Sequence, residues 1–339
     1  MLKTARATSR RMLAALMFVA CAALTPARAE VTEIAVAQQF GVSFLPLMIM
    51  ERDGLIEKHA RAAGITDLKT NWPKVAGPSV MNDGLLSGTM HIVAQGAPSL
   101  ATLWSKTQGA VKGMSAMTSY PLTFVTLNPD LKSLKDLSAK DKIAVPSVKI
   151  STQAIMLQMA AADLFGQANY ARFDPLTISL SHPDAMLALM NNVGGVNAHF
   201  ATSPFTEQEM KLPGARALTT SYDILGGRAS ALVITTTAKF REENPKVYKA
   251  VLGALKEAID TVNKDKRAAA KAYLELAGDR KSSVDDIYAV INDKDYAYTL
   301  SPEKVFKTAV FMGKVGSIKE PPKVWQDLFF PEIHDLPGD

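Results

Sequence analysis

The sequence predicts an α/β protein of two domains behind a removable N-terminal segment. Three observations lead there: short β-type runs alternate with amphipathic helical stretches, 339 residues exceed one comfortable core, and residues 1–29 differ in kind from the rest. That first segment carries Lys3, Arg6, Arg10, Arg11 and Arg28 and no acidic residue. The apolar run Met12–Leu24 follows, and Ala27-Arg28-Ala29 supplies small residues around a cleavage point. A basic start, a short apolar run and a small-x-small end make a secretory signal peptide. Thirteen apolar residues fall short of the ~20 that span a bilayer.

Cleavage after Ala29 changes what remains. Of 38 basic residues five leave, so 33 face 33 acidic ones and the mature chain is near neutral. A nucleic-acid binder needs a concentrated basic face, which residues 30–339 lack. Cys21, the only cysteine, leaves with the segment, and with it go disulfides, Cys-ligated zinc and Cys nucleophiles. Ser9-Arg10-Arg11-Met12-Leu13 matches a twin-arginine signal in part, lacking its Phe and later Lys, so the general secretory route is expected. Phe18-Val19-Ala20-Cys21 loosely resembles a lipoprotein box, which would lipidate Cys21; cleavage at Ala29 and a free periplasmic protein are expected instead.

Along the mature chain, Glu33–Ala37 reads as the first strand and Pro46–Lys58 as a helix closed by Asp53-Gly54. Strand Asp67–Trp72, helix Ser79–Leu86, strand Met90–Ala94 and helix Pro98–Lys106 follow. A second block opens at Leu122–Leu127, with Asn128-Pro129 as a turn signal. It continues through strand Lys142–Val145, helix Thr152–Phe165, strand Leu176–Ser179, helix Asp184–Asn191 and strand Val196–Phe200. Ala217–Ser221 and Ala231–Thr235 are extended, and from Pro245 onward the pattern is mainly helical with solvated Lys/Glu faces.

The chemistry of common enzymes is missing. The histidines, His59, His91, His182, His199 and His334, have no helical zinc spacing, and there is neither a phosphate-binding loop nor a nucleophile elbow. His182 and His199 suit polar pocket lining or bonded burial better than catalysis, since no nucleophile or orienting carboxylate can be matched to either from sequence. No metal and no cofactor is expected. A binder rather than an enzyme is.

In open α/β sheets ligands sit beyond the carboxyl ends of strands, which singles out four loops. Gln38-Gln39-Phe40-Gly41-Val42-Ser43-Phe44 offers Gln38 and two aromatics, Phe40 and Phe44, that either wall a pocket or pack into the core. Gln95-Gly96-Ala97-Pro98 leads into a helix whose first turn accepts Pro98. In Pro146–Gln153, Ser147, Lys149, Thr152 and Gln153 surround Ser151, a natural N-cap of the following helix. The free N–H groups of that turn favour an anion, yet contribute only ~0.3–2 kcal/mol of the roughly 8 kcal/mol a micromolar ligand needs. Thr202-Ser203-Pro204-Phe205 is the fourth, with Ser203 and Phe205 as candidates. Gly226-Gly227 suits a crossover, and Arg228 beside it is either a surface side chain or a fork for a carboxylate or sulfonate.

Taken in order, these segments resemble the nitrate/sulfonate/taurine type of periplasmic substrate-binding protein of ABC importers. The resemblance rests on Met50–Lys58, on Leu86–Val93 with His91 where an Asp is common, and on Leu134-Lys135-Asp136-Leu137 followed by Lys142–Pro146. Pro183-Asp184-Ala185 and the Asn244-Pro245 helix start add to it, over roughly residues 31–275. It implies a two-lobed periplasmic-binding-protein fold of type II, each lobe a mixed sheet flanked by helices, with two hinge crossings near Tyr120-Pro121 and Tyr222–Arg228. Lobe one would hold residues 30–120 plus 225–339, and lobe two residues 121–224. A monomer would capture a small organic or inorganic anion between its lobes, Tyr120 joining the pocket, and deliver it to an inner-membrane permease with its ATPase. Family members that bind pyrimidine precursors leave a neutral aromatic ligand open; cysteine-dependent enzymes among the relatives are excluded by the absent thiol. The loop Pro146-Ser147-Val148 departs from the Gly-Ser usual there, so Lys149 inherits no role from the family.

Overall fold

A computed structural model describes residues 29–339; residues 1–28, which hold most of the expected signal peptide with Cys21 and the export-route motifs, lie outside the described residues. The strands are β1 (Glu33–Ala37), β2 (Lys69–Asn71), β3 (Ile92–Gln95), β4 (Val111–Ser119), β5 (Thr123–Thr126), β6 (Ile143–Val145), β7 (Thr177–Ser179), β8 (Ala198–Ala201), β9 (Arg216–Thr220), β10 (Ser230–Thr237) and β11 (Ala297–Tyr298). They form two mixed sheets, ordered β11-β4-β10-β3-β1-β2 and β7-β6-β8-β5-β9. β1 runs parallel to β2 and β3, while β10 lies antiparallel between β3 and β4. In the second sheet β6 is parallel to β7 and β8, and β5 is antiparallel to β8 and β9. The chain passes from the first sheet to the second between Ser119 and Thr123 and returns between Thr220 and Ser230. This is the α/β periplasmic-binding-protein architecture, two sheets flanked by helices.

Burial explains why these runs pair. Ile34 and Val36 of β1, Ile143 and Val145 of β6, and Ala198 and Phe200 of β8 are fully buried, each Ile, Val or Phe side chain contributing about 1.5–3 kcal/mol. The helix Pro245–Lys264 shows how the C-terminal half attaches. Val247, Val251, Ala254, Leu255, Ala258, Ile259 and Val262 recur at helical spacing and pack on the helices Leu45–Arg52 and Leu55–Ala62.

Several expectations change in detail. The stretch read as one helix, Pro46–Lys58, is two helices, because Gly54 takes a left-handed conformation (φ 57°) between them. The longest strand, β4, was not legible: Val111-Lys112-Gly113-Met114-Ser115-Ala116-Met117-Thr118-Ser119 has no β-branched run, and its pairing with β10 and β11 fixes it. The helices Phe205–Met210 and Ser221–Leu225 were likewise missed, being six and five residues long. Among the described residues no helix is long and apolar enough to cross a membrane.

Candidate functional site

Loops at the carboxyl ends of both sheets face one another, and the two halves touch there. The Val42 N–H donates to the Ser203 carbonyl at 3.1 Å and the Ser79 N–H to Ser147 Oγ at 3.3 Å. Ser99 Oγ donates to the Ile150 carbonyl at 3.1 Å, and Thr202 Oγ1 to the Tyr120 hydroxyl at 2.8 Å. Two glycines permit this approach. A Cβ on Gly77 would collide with the Pro146 carbonyl, and one on Gly96 with Thr152 Oγ1.

Between these contacts lies a cavity of about 30 Å³, room for water-sized occupants only. Small-molecule pockets measure roughly 300–1,000 Å³, so an organic ligand requires the halves to separate. Beside the cavity, sharing Gln39 and Phe40 with it, a groove of about 440 Å³ runs outward past Phe205. Exposed Lys74, Arg280 and Lys281 stand along that groove with Asp279.

The cavity wall has a consistent electrostatic plan. None of its residues is Asp, Glu, Lys or Arg. Four helices instead begin at it: Pro78–Ser87 through Pro78, Ala97–Lys106 through its N-cap Gly96, Thr152–Phe165 through Ser151 and Thr152, and His182–Asn191 through His182. Each helix start carries N–H groups without intrahelical partners and about half a positive charge, although the Ser79, Ala154 and Asp184 N–H groups already donate to Ser147, Ser151 and Ser181. Ser151 caps its own helix, its Oγ accepting from the Ala154 N–H at 3.3 Å.

Of the candidates read from sequence, Phe40, Phe44, Gly96, Tyr120, Ser151, Thr152 and Gln153 line this cavity. Gln38 and Gln95 are buried behind it: the Gln38 amide donates to Glu51 at 3.2 Å, and both amide atoms of Gln95 lack a partner among the described residues. Ala97 is buried in the first turn of its helix. Ser147 is taken up by the Ser79 contact, and Ser203 Oγ donates to Glu207 at 2.8 Å. Phe205 lines the outer groove and stacks on His182 with ring centres 5.9 Å apart. Lys149 is exposed with a left-handed φ of 64°. Arg228 is corrected most: it is absent from the cavity wall, its side chain is 46% exposed, and its guanidinium forks onto Glu303 at 2.6–3.1 Å.

Sequence reasoning missed Pro78, Leu122, Ala231 and Leu232 of the wall, while Gln39, Pro146 and Thr202 stood in the loops it singled out without being chosen. Pro78 after Gly77 repeats the pattern of Pro98 after Gly96, a signal that was there to use. The other omission concerns His182 and His199. The orienting carboxylate that the sequence did not reveal is Glu209: its Oε1 lies 2.5 Å from His199 Nδ1, and His199 Nε2 lies 2.8 Å from His182 Nδ1. His182 Nε2 in turn lies 3.4 Å from the Gln153 amide nitrogen, at the cavity. Burial lowers His199 to about 3, holds His182 well below its usual value, and raises Glu209 to about 9. Among the described residues no group of three or more His, Cys, Asp or Glu is arranged to hold a metal.

No protein-family model and no curated protein sequence matches this chain. Solved structures do. The alkanesulfonate-binding protein SsuA of Xanthomonas axonopodis pv. citri, bound to MOPS, superposes with a TM-score of 0.66 at 16% identity, covering 87% of this chain and 96% of that one. The periplasmic aliphatic sulphonate-binding protein SsuA of Escherichia coli gives 0.63 at 15% identity, over 89% and 93%. A Candida albicans gene product exhibiting the generic periplasmic binding protein structural fold gives 0.63 at 16% identity, over 86% and 92%. The chain therefore has the periplasmic-binding-protein fold over most of its described length.

Proposed function

We propose that this protein is an exported, monomeric solute receptor that captures a small oxyanion with a compact organic body, of the sulfonate or carboxylate type, and presents it to an ABC importer permease. The observation that carries this is the convergence of four helix starts on a cleft cavity without charged side chains. Such a wall offers N–H donors to oxyanion oxygens, while Phe40, Phe44 and Tyr120 offer apolar surface to a short organic group. The sulfonate-binding structures of the same fold support the ligand class, and the basic side chains along the outer groove would draw an anion inward. Residues 30–120 with 225–339 form one lobe and 121–224 the other, with hinges at the two passages between sheets. Contacts to both lobes stabilise the closed state by the ligand's differential affinity. The permease would read that closed form, and no catalysis is involved.

Titration calorimetry and thermal shift of the mature protein with nitrate, taurine, alkanesulfonates and carboxylates test this. Micromolar binding of a sulfonate or carboxylate with a raised Tm supports it. A second reading rests on the same uncharged wall, whose Gln39, Gln153 and Tyr120 suit a neutral flat ring. Binding of an aminopyrimidine without any anion response would replace the first reading by the second.

A further inference from the structure

We propose that Glu209, His199 and His182 form a proton-loaded hydrogen-bond chain that ends at the ligand and gives the cleft a switchable N–H donor where a fixed Arg or Lys would otherwise stand. The inference rests on the receptor reading above and assigns residues to that site. Its basis is geometric. The carboxyl, the two imidazoles and the Gln153 amide follow one another at 2.5, 2.8 and 3.4 Å, and all four side chains are buried, His199 and Glu209 completely. Only His182 and Gln153 reach the cavity. Phe205 stacked on His182 holds the ring in line.

The direction of the chain follows from its buried end. Glu209 Oε2 has no partner among the described residues, so an ionised carboxylate there would leave one charged oxygen unsolvated. Protonated, Glu209 Oε1–H donates to His199 Nδ1, His199 Nε2–H donates to His182 Nδ1, and His182 Nε2–H is left for the cavity. As placed, the Gln153 amide nitrogen stands 3.4 Å from His182 Nε2; in this state the amide turns over so that its oxygen accepts the N–H, until an oxyanion takes its place. Removing one proton reverses both bonds. His199 Nδ1–H donates to Glu209, His182 Nδ1–H donates to His199, and His182 Nε2 faces the ligand as a lone pair. An oxyanion is welcome in the first state and repelled in the second. Burial raises Glu209 to about 9, so the donor state prevails at neutral pH.

Most other charged groups nearby are engaged: Asp184 accepts from Ser181, Asp286 pairs with Lys211, and Arg216 donates to the Asn128 carbonyl. Glu207 accepts from Ser203 through one oxygen while its Oε2 has no partner among the described residues, and burial, with Glu209 beside it, raises it too. β5 brings no titratable group, β8 brings His199 alone, and Tyr120 accepts from Thr202.

Two measurements decide the matter. Histidine ring ¹⁵N NMR of the ligand-free protein should show Nε2–H tautomers for His182 and His199 at neutral pH, converting to Nδ1–H as pH rises through about 9. Nδ1–H tautomers at neutral pH overturn the chain whatever the protein binds. Affinity for propanesulfonate should fall about tenfold per pH unit above that point. Glu209→Gln, whose amide donates to His199 Nδ1 at any pH, should abolish the fall and bind more tightly than wild type at about pH 10. His182→Leu should weaken binding at every pH, whereas Arg228→Ala should leave the profile of the wild type. A wild-type affinity that is flat with pH, or a fall that persists in Glu209→Gln, overturns the assignment. If propanesulfonate binds at no pH, the receptor reading fails for that class while the tautomers still test the chain.

Discussion

Two of the acid–base pairs in the second half of the chain solve opposite problems. Arg228 and Glu303 meet at the surface as a forked ion pair, solvated on one side and held by full charges. Glu209 and His199 meet with no exposure at all, and there burial favours the uncharged forms of both. The surface pair is a fixed charge whose field water and salt screen. The buried pair is a store of hydrogen-bond direction, sensitive to a single proton. A cleft walled by helix starts and free of Lys and Arg relies on the second kind of device.

The largest expected effect breaks the buried side of this contrast. Glu209→Ala orphans His199 Nδ1 in a fully buried site, which costs roughly 1–3 kcal/mol before any cavity is counted; urea unfolding at neutral pH measures it. Glu209→Gln sharpens the same point through pH. A group whose folded pKa is raised to about 9 stabilises fully below its unfolded value near 4.3 and loses that contribution as pH rises. The stability of the wild type should therefore fall relative to Glu209→Gln between about pH 5 and 9, and parallel curves would argue for an ionised pair.

An intermediate effect acts on the surface between the two halves. Gly77 has an extended backbone that any residue can adopt, so Gly77→Ala adds strain where its Cβ meets the Pro146 carbonyl and Ser147 Oγ of the other half. Overpacking of that kind costs about 1–3 kcal/mol on closure. X-ray scattering should report a larger radius for the variant, and ligand affinity should drop by about 5- to 150-fold.

The smallest effect belongs to the exposed pair. Arg228→Ala should change stability by at most about 1 kcal/mol, less at high salt, as thermal unfolding will show. A larger loss would mean that the pair braces the return of the chain from the second sheet to the first.

Much of the fold was legible because it is local. The helix Thr152–Phe165 begins at a Ser cap and ends at Gly166, so its limits coincide with the expectation, and Glu33–Ala37 alternates as a half-buried strand should. β4 was not legible, because a stretch of Gly, Met, Ser and Ala becomes a strand only by pairing with β10 and β11. The site divides the same way. Loops that follow strands and open helices placed Gly96, Ser151, Thr152 and Gln153 at the cleft, since capping and dipoles act over one turn.

What the sequence by itself determined is what depends on neighbours along the chain: the α/β alternation, the helix starts, and the want of any thiol or cationic motif in residues 30–339. What only the tertiary structure decided is which charges are left in water and which are buried. Arg228 and Glu303 are 75 residues apart, His182 and His199 17, and His199 and Glu209 10. No spacing rule relates them. The sign of a buried proton depends on desolvation from every side, a property of the packed interior rather than of any segment.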